Sequence, residues 1–270
     1  MIRPVVRDET HQQENLAARL HDLIETAGPL VEKITGLTLP VEPVFRILTP
    51  AVWRAEAVAS VARVCAHDLA ECPPAEASRL RAAPKVNRVM LRAMWIMAMG
   101  LTVTGATGRS ETLVSAEALR HTGLLADHQV MGQMVAHELV HHAQDVAIGG
   151  DHRWVTLLPH LHGIGDLARD HIAEGHARWA DQRVTEIVFG TVIDDAQAPR
   201  SHRYKRRAAF PLVRAIRANK QRAYSEGAAF FREVDTELHQ VNRIWSRPEL
   251  GPNQAEIAHP HQWLARVGAS

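Results

Sequence analysis

A chain of 270 residues, 46% of them hydrophobic, can bury a sizeable core as one domain or two closely packed lobes, which excludes a disordered protein. Its 31 Lys and Arg nearly match its 30 Asp and Glu, so no global field draws it onto nucleic acid or an anionic membrane, and partners must be read from sites. The first residues hold no apolar core of signal-peptide length, and the most apolar run, 93–103, is far short of the ~20 residues that span a bilayer. A cytoplasmic protein is therefore expected.

In chain order, apolar residues recur at helical spacing over 14–34 (Leu16, Leu20, Leu23, Ile24, Leu30, Val31, Ile34), and Gly36 is a natural stop. Residues 37–50, with three prolines among Val and Ile, read as an extended connection or short strand. Thr49-Pro50 opens a helix through Trp53 that runs on over 55–70 until Pro73-Pro74 interrupt it. Cys65 and Cys72 lie on or next to that helix and form neither a disulfide framework nor a CxxC pair; reduced thiols are expected. A further helix covers 75–99. The punctuation then changes to Gly and Thr, and 101–104 with 112–115 read as a hairpin or small sheet. Helical periodicity returns over 127–148, ending at Gly149-Gly150, and again over 166–189. The basic stretch RSHRYKRR, 200–207, precedes a long helical region over 209–245, and a short helix over 260–267 closes an irregular tail. No internal repeat or clean linker divides the chain. We separate a helical region, 1–99, from a chemistry-bearing region, 100–270, and expect the two to form one compact unit.

Seventeen histidines raise the chance of metal binding and of accidental motifs alike. One cluster stands out. His137-Glu138-Leu139-Val140-His141 sits inside the 127–148 helix, where residues four apart lie one turn above each other and both imidazoles can face one ion. Glu138 is placed to take a proton from a metal-bound water, while Met131, Met134, Val135 and Leu139 give the helix a face for burial. With this composition an HExxH arises by chance in roughly one of fifteen such sequences, so its setting in a strong helix after a β-prone segment matters.

Catalytic zinc takes three protein ligands and keeps a position open. The extended pattern HExxHxxGxxH fails, because Gln144 and Ala147 stand at its glycine and last ligand positions. Glu174, 33 residues beyond His141 on the 166–189 helix, is the better third ligand, giving a two-His, one-Glu set for one Zn2+ per chain. His171 and His176 compete for the role, and His171 has the further option of standing behind the ligands. Asp170 and Asp181 share the Glu174 face of their helix and are candidates to orient an imidazole by accepting its other N–H; Asp181 is preferred.

These residues resemble those of the zincin-like, gluzincin-type metallopeptidase family of actinobacteria sometimes called coenzyme F420 biosynthesis-associated. The resemblance is carried by HELVH at 137–141, EGHARWAD at 174–181, KQRAYSEGAAFF at 220–231 and a tail in which Trp245, Pro248, Pro252, Glu256, Ile257, Pro260, Trp263, Arg266 and Val267 stand at the family's positions. It implies a mainly α protein with a small β-sheet (α+β), a zincin-like metallopeptidase fold built on an HExxH active-site helix. It also implies hydrolysis, with no established substrate.

The expected reaction is cleavage of a peptide or peptide-like amide, with Glu138 as general base. An edge strand before the HExxH helix would pair with the extended substrate, which points to Thr112, Leu113, Val114 and Ser115 as substrate-binding residues. Tyr224 is favoured over Tyr204 as donor to the developing oxyanion. The 200–207 run reads as a solvated charge run, and His160 and His162 as loop histidines. Two rivals are a silent zincin-fold binding or regulatory protein, against which Glu138 speaks, and a DNA-associated regulator, for which no recognition motif appears. The oligomeric state is not legible.

Overall fold

The computed structural model describes residues 2–151, 153–193 and 198–268. Eleven α-helices and four strands follow one another along these residues: β1 (Val5–Asp8), α1 (Glu14–Thr35), β2 (Val44–Ile47), α2 (Pro50–Glu71), α3 (Pro74–Met94), β3 (Leu101–Thr104), β4 (Ser110–Val114), α4 (Ala116–Thr122), α5 (His128–Ile148), α6 (Asp166–Phe189), α7 (His202–Ala208), α8 (Pro211–Val234), α9 (Leu238–Ser246), α10 (Gln254–Ala258) and α11 (Pro260–Gly268). Mainly helical with one small sheet, it is the α+β architecture expected. No helix among the described residues is long and apolar enough to cross a membrane.

The sheet runs in the order β1-β2-β4-β3, with β1, β2 and β4 parallel and β3 antiparallel to β4. Two strands come from residues before 100 and two from after, so a single sheet joins the two regions. Successive side chains of a strand face opposite sides, and the cores divide accordingly. Phe45, Ile47 and Val114 face a large core shared with α1, α5, α6, α8 and α9, whereas Leu113 faces a smaller one with Trp53, Ala57, Trp95 and Ile96. The Trp53 indole donates to the Leu113 carbonyl at 3.2 Å, tying α2 to the sheet.

Several elements depart from the expected string. Strand β1 lies in the polar N-terminal segment, which has too little alternation to announce it. The region 209–245 breaks at a 3-10 turn, Asp235–Glu237, where Asp235 pairs with Arg183 and lets α9 turn back to bury Val241, Ile244 and Trp245. Helix α3 stops at Met94 rather than 99, because the Trp95–Met97 segment tightens into a 3-10 turn to bury Trp95 and Ile96.

Two contacts set the position of the site. Helices α6 and α8 cross through Gly175 and Gly227 with their backbones touching: a Cβ on Gly175 would stand 2.4 Å from the Gly227 Cα, and one on Gly227 2.1 Å from the His171 carbonyl oxygen. No other residue fits there. The tail then clamps this pair. Trp263 is fully buried edge-on against Phe230 and donates to the Leu250 carbonyl at 2.7 Å, and Arg266 grips both Glu256 oxygens at 2.7 and 2.9 Å.

Candidate metal centre

Helix α5 begins where the Asp127 side chain accepts from the Gln129 and Val130 amides, and ends at Gly149 in the left-handed region, φ +63°. One face packs Met131, Met134, Val135 and Leu139 into the core. The other presents His137 and His141 to a cavity of about 890 Å³, also lined by Glu138, Glu174 and Tyr224.

The three candidate ligands converge. Glu174 Oε2 lies 3.2 Å from His137 Nε2 and 3.8 Å from His141 Nε2, and the three donor atoms form a group able to hold one ion. Ligands about 2.0–2.1 Å from a tetrahedral zinc stand roughly 3.3 Å apart, so the donor set fits this metal once its wider separations, such as the 3.8 Å one, draw in. Each imidazole is also held from behind. His137 Nδ1 donates to Asp181 Oδ2 at 2.9 Å, and His141 Nδ1 donates to Gln144 Oε1 at 2.9 Å, leaving both Nε2 atoms for the ion. Asp181 is almost completely buried and takes a further bond from the Gln133 amide at 3.1 Å.

Charge is concentrated on Glu174. Its second oxygen, Oε1, lies 3.3 Å from Lys220 Nζ, one carboxylate oxygen thus facing the imidazoles and the other the ammonium. Burial would push the Glu174 carboxyl up, but Lys220 and then the two imidazoles hold it well below the usual carboxylate range. For His137, burial is likewise outweighed by Asp181 and Glu174, and its pKa rises to about 9. Glu174 lifts Lys220 well above its ordinary value. Tyr224, its ring edge-on to His137 at 5.5 Å and its phenol bound by Lys220, is raised by burial and by Glu174, so it stays a neutral donor.

Glu138 is buried against the start of β3. Thr102 Oγ1 donates to its Oε2 at 2.6 Å, and a Cβ on Gly100 would stand 2.6 Å from its Oε1, so a side chain there would displace the carboxylate. Behind Thr102 runs a chain of donors: Thr112 Oγ1 at 2.8 Å, then His142 Nε2 at 3.0 Å, whose Nδ1 faces Ser110 Oγ at 3.0 Å. Burial, with His141 alongside, holds His142 neutral with a pKa of about 3. Its Nε2–H therefore donates to Thr112, which donates to Thr102, which donates to Glu138.

Some expected residues stand elsewhere. Thr112, Leu113, Val114 and Ser115 cannot pair with a substrate: β4 lies between β2 and β3 with both edges occupied, and the four side chains are at most 2% exposed. The edge strand at the cavity is β3. His171 turns to α8 and meets Glu226 Oε2 at 3.0 Å, away from the imidazoles. Asp170 is exposed and pairs with Arg169 at 3.3 Å, orienting no ligand. His176, stacked on Trp179, is buried with Nδ1 near the Gln144 amide and a pKa of about 3, a packed core imidazole. His160 pairs with Glu76 at 3.5 Å, and Tyr204 is buried under Arg200 and Arg217. Both cysteines are free. Gln144, Lys220, Thr102 and Gly100 are site residues to which the sequence reading assigns no role. Only the first two had a signal, at three residues after His141 and four before Tyr224, each on the face of its neighbour.

This geometry defines a class, a helical protein with an HExxH pair and a distant glutamate around one cation site, and the comparisons agree with it. Residues 172–264 match a family model described as zincin-like metallopeptidase, a stretch that holds Glu174, Asp181, Lys220, Tyr224 and the clamping tail. The match supports a zinc hydrolase at the level of family. A crystal structure from Chloroflexus aurantiacus, of a proposed hydrolase described as having a novel fold, superposes with a TM-score of 0.54 over 96% of this chain and 92% of that one. At 14% identity this likeness concerns the fold alone. No curated protein matches the sequence.

Proposed function

We propose that the protein is a cytoplasmic zinc metallopeptidase that hydrolyses a peptide or peptide-like amide. The observation carrying this reading is the convergence of His137, His141 and Glu174 with both Nδ1 atoms tied back, in one cavity with a buried glutamate. The narrower resemblance to the coenzyme F420-associated type of zincin belongs to the same proposal, on the tail residues named above.

His137, His141 and Glu174 would hold the ion, which when bound makes water acidic and polarises the scissile carbonyl. Glu138 takes the proton of the attacking water at Oε1, since Oε2 is engaged by Thr102, and delivers it to the leaving nitrogen. Thr102 keeps that carboxylate aimed. Tyr224, neutral and held by Lys220, offers its phenolic hydrogen to the oxygen that gains charge. An extended substrate adds to the outer edge of β3 at 101–103, where no strand pairs among the described residues; Arg63 already takes the Thr104 carbonyl.

The test is paired. Metal analysis of the purified protein should find about one zinc per chain, falling sharply in His137→Ala. Glu138→Gln should retain the zinc and lose cleavage of a peptide library; turnover surviving in that variant excludes Glu138 as base.

A further inference from the structure

From Arg200 through Arg222 the chain carries nine Lys and Arg and no Asp or Glu, although the whole protein is net +1. The structure sorts these cations. Lys205 and Arg206 lie on the exposed face of α7, Arg203 pairs with Glu117 at 3.5 Å, Arg222 with Glu226 at 3.2 Å, and Lys220 with Glu174 at 3.3 Å. Arg214 and Arg217 are different. Both line the cavity of the metal centre, and neither pairs with a carboxylate among the described residues. Arg217 is stacked at 5.4 Å on the ring of Tyr204, a buried residue, which restrains a side chain that would otherwise sample many rotamers.

Arg214, Arg217, Lys220 and Tyr224 follow one another at spacings of three, three and four, so they form a ladder along one face of α8. Its lower rungs touch the site, Tyr224 against His137 and Lys220 against Glu174. At about 1.5 Å per residue, Arg217 and Arg214 stand roughly 4.5 and 9 Å further along the helix axis than Lys220. An extended peptide advances about 3.3–3.6 Å per residue, so these guanidinium groups face a substrate about one to three residues from the bond at the metal centre. The same cavity also has an apolar, deformable methionine wall of Met90, Met94, Met97 and Met99.

We infer that the protein acts on acidic peptides, with Arg214 and Arg217 receiving a substrate carboxylate on the α8 side of the cleft while the methionine wall takes an apolar neighbour. The inference deepens the peptidase reading and rests on it. Arginine suits the task because its planar fork binds a carboxylate through two parallel bonds. A nucleic acid fits less well: the same cavity is lined by Glu138, Asp170, Glu174 and Asp181, which repel a phosphate backbone, and its volume holds a few residues rather than a duplex.

Binding to the zinc-loaded Glu138→Gln protein, which does not turn over, tests this without reference to cleavage. Fluorescein-labelled hexapeptides in which one Glu is moved through the sequence are compared with their Gln counterparts by fluorescence polarisation. At one register the Glu peptide should bind about tenfold tighter, the scale of a charge-assisted pair in a partly dry cleft. Adding Arg214→Gln and Arg217→Gln should abolish that preference, whereas adding Lys205→Gln and Arg206→Gln, an equal loss of charge outside the cavity, should leave it. Equal binding of Glu and Gln peptides, a preference surviving the cavity double variant, or tighter binding of duplex DNA than of any peptide overturns the inference. Wild-type cleavage indifferent to charge refutes the inference and keeps the peptidase. Charge-selective binding without wild-type cleavage keeps the anionic site and refutes the peptidase.

Discussion

Substituting Gly227 by Ala adds one methyl group at a residue that is itself no candidate ligand, yet the structure predicts that it damages the candidate metal centre. The new Cβ would stand 2.1 Å from the His171 carbonyl oxygen and 2.7 Å from the Gly175 Cα, both backbone atoms on α6. No rotamer relieves such a contact. Carbon and oxygen meet no closer than about 3.2 Å in a packed interior, so the two helices must separate by about 1 Å at the crossing. Overpacking of this kind costs about 1–3 kcal/mol, which in a chain of this size lowers the melting temperature by about 2–12 °C. Glu174 precedes Gly175 on α6, so the same displacement disturbs the 3.2 and 3.8 Å separations between its carboxylate and the two imidazoles. Metal sites tolerate deviations of only about 0.2 Å, and zinc affinity should fall with stability. The assay is thermal melting with and without zinc, together with zinc titration against a competing chelator. Ala228→Gly, its neighbour on α8, serves as a control for helix propensity, with an expected cost of about 1 kcal/mol and unchanged zinc affinity in the folded protein. A Gly227→Ala protein with wild-type melting and wild-type zinc affinity would refute the argument that this crossing positions the third ligand.

Asp181→Asn should keep the fold and reduce zinc affinity about 10–100-fold, because the amide no longer anchors the His137 ring as an anion does; chelator competition reads the change, and an unaltered constant counts against the role. Thr102→Val removes the donor to Glu138 Oε2 without changing side-chain shape, so kcat should fall about 10–100-fold, the worth of one hydrogen bond to a charge, while bound zinc stays at wild-type level. Glu256→Gln preserves the capping box with Asn253 but removes the Arg266 ion pair, costing about 0.5–1 kcal/mol at neutral pH. Because Arg266 holds the folded-state pKa of Glu256 below 4.5, the unfolded chain binds the proton more readily. The pair's contribution is thus full above pH 4.5 and lost as the pH falls through the folded value, and melts of wild type and variant should converge in acid; a constant gap would remove the pair from the account.

The sequence made the candidate ligands legible because their spacing is a helical property. His137 and His141 share a face by geometry alone, and Asp181 shares the Glu174 face at plus seven. Asp170 shares it too, at minus four, and that symmetry was misleading: helical phase says which side of α6 a residue occupies, but not which of two turns meets α5. Asp181 lies where α6 crosses the His137 turn, whereas Asp170, exposed at the cavity rim, pairs with Arg169. The edge-strand expectation failed for a related reason. A segment preceding the HExxH helix can be central or peripheral, and only the long-range parallel pairing with β2, with Arg46 in register with Leu113, fixes β4 in the middle. Long-range pairing has no local signature. His142 shows the opposite case. It reads as one more histidine beside the motif, but burial makes it a neutral link from the sheet towards Glu138.

The stretch matched by the family model, 172–264, contains the candidate third ligand and the tail but not the HExxH helix, and the two parts of the site are held in different ways. The α5 imidazoles need only helical spacing and two hydrogen-bond acceptors. Glu174 depends on far more: a crossing at Gly175 and Gly227 that admits no side chain, an α8 whose Lys220 and Tyr224 reach it from one turn, and a tail that locks α8 from behind through Trp263 on Phe230 and Arg266 on Glu256. Loosening any of these moves a carboxylate that must reach two imidazoles at once. The tail thus braces the candidate third ligand from behind, although none of its residues touches the cavity beyond Trp245.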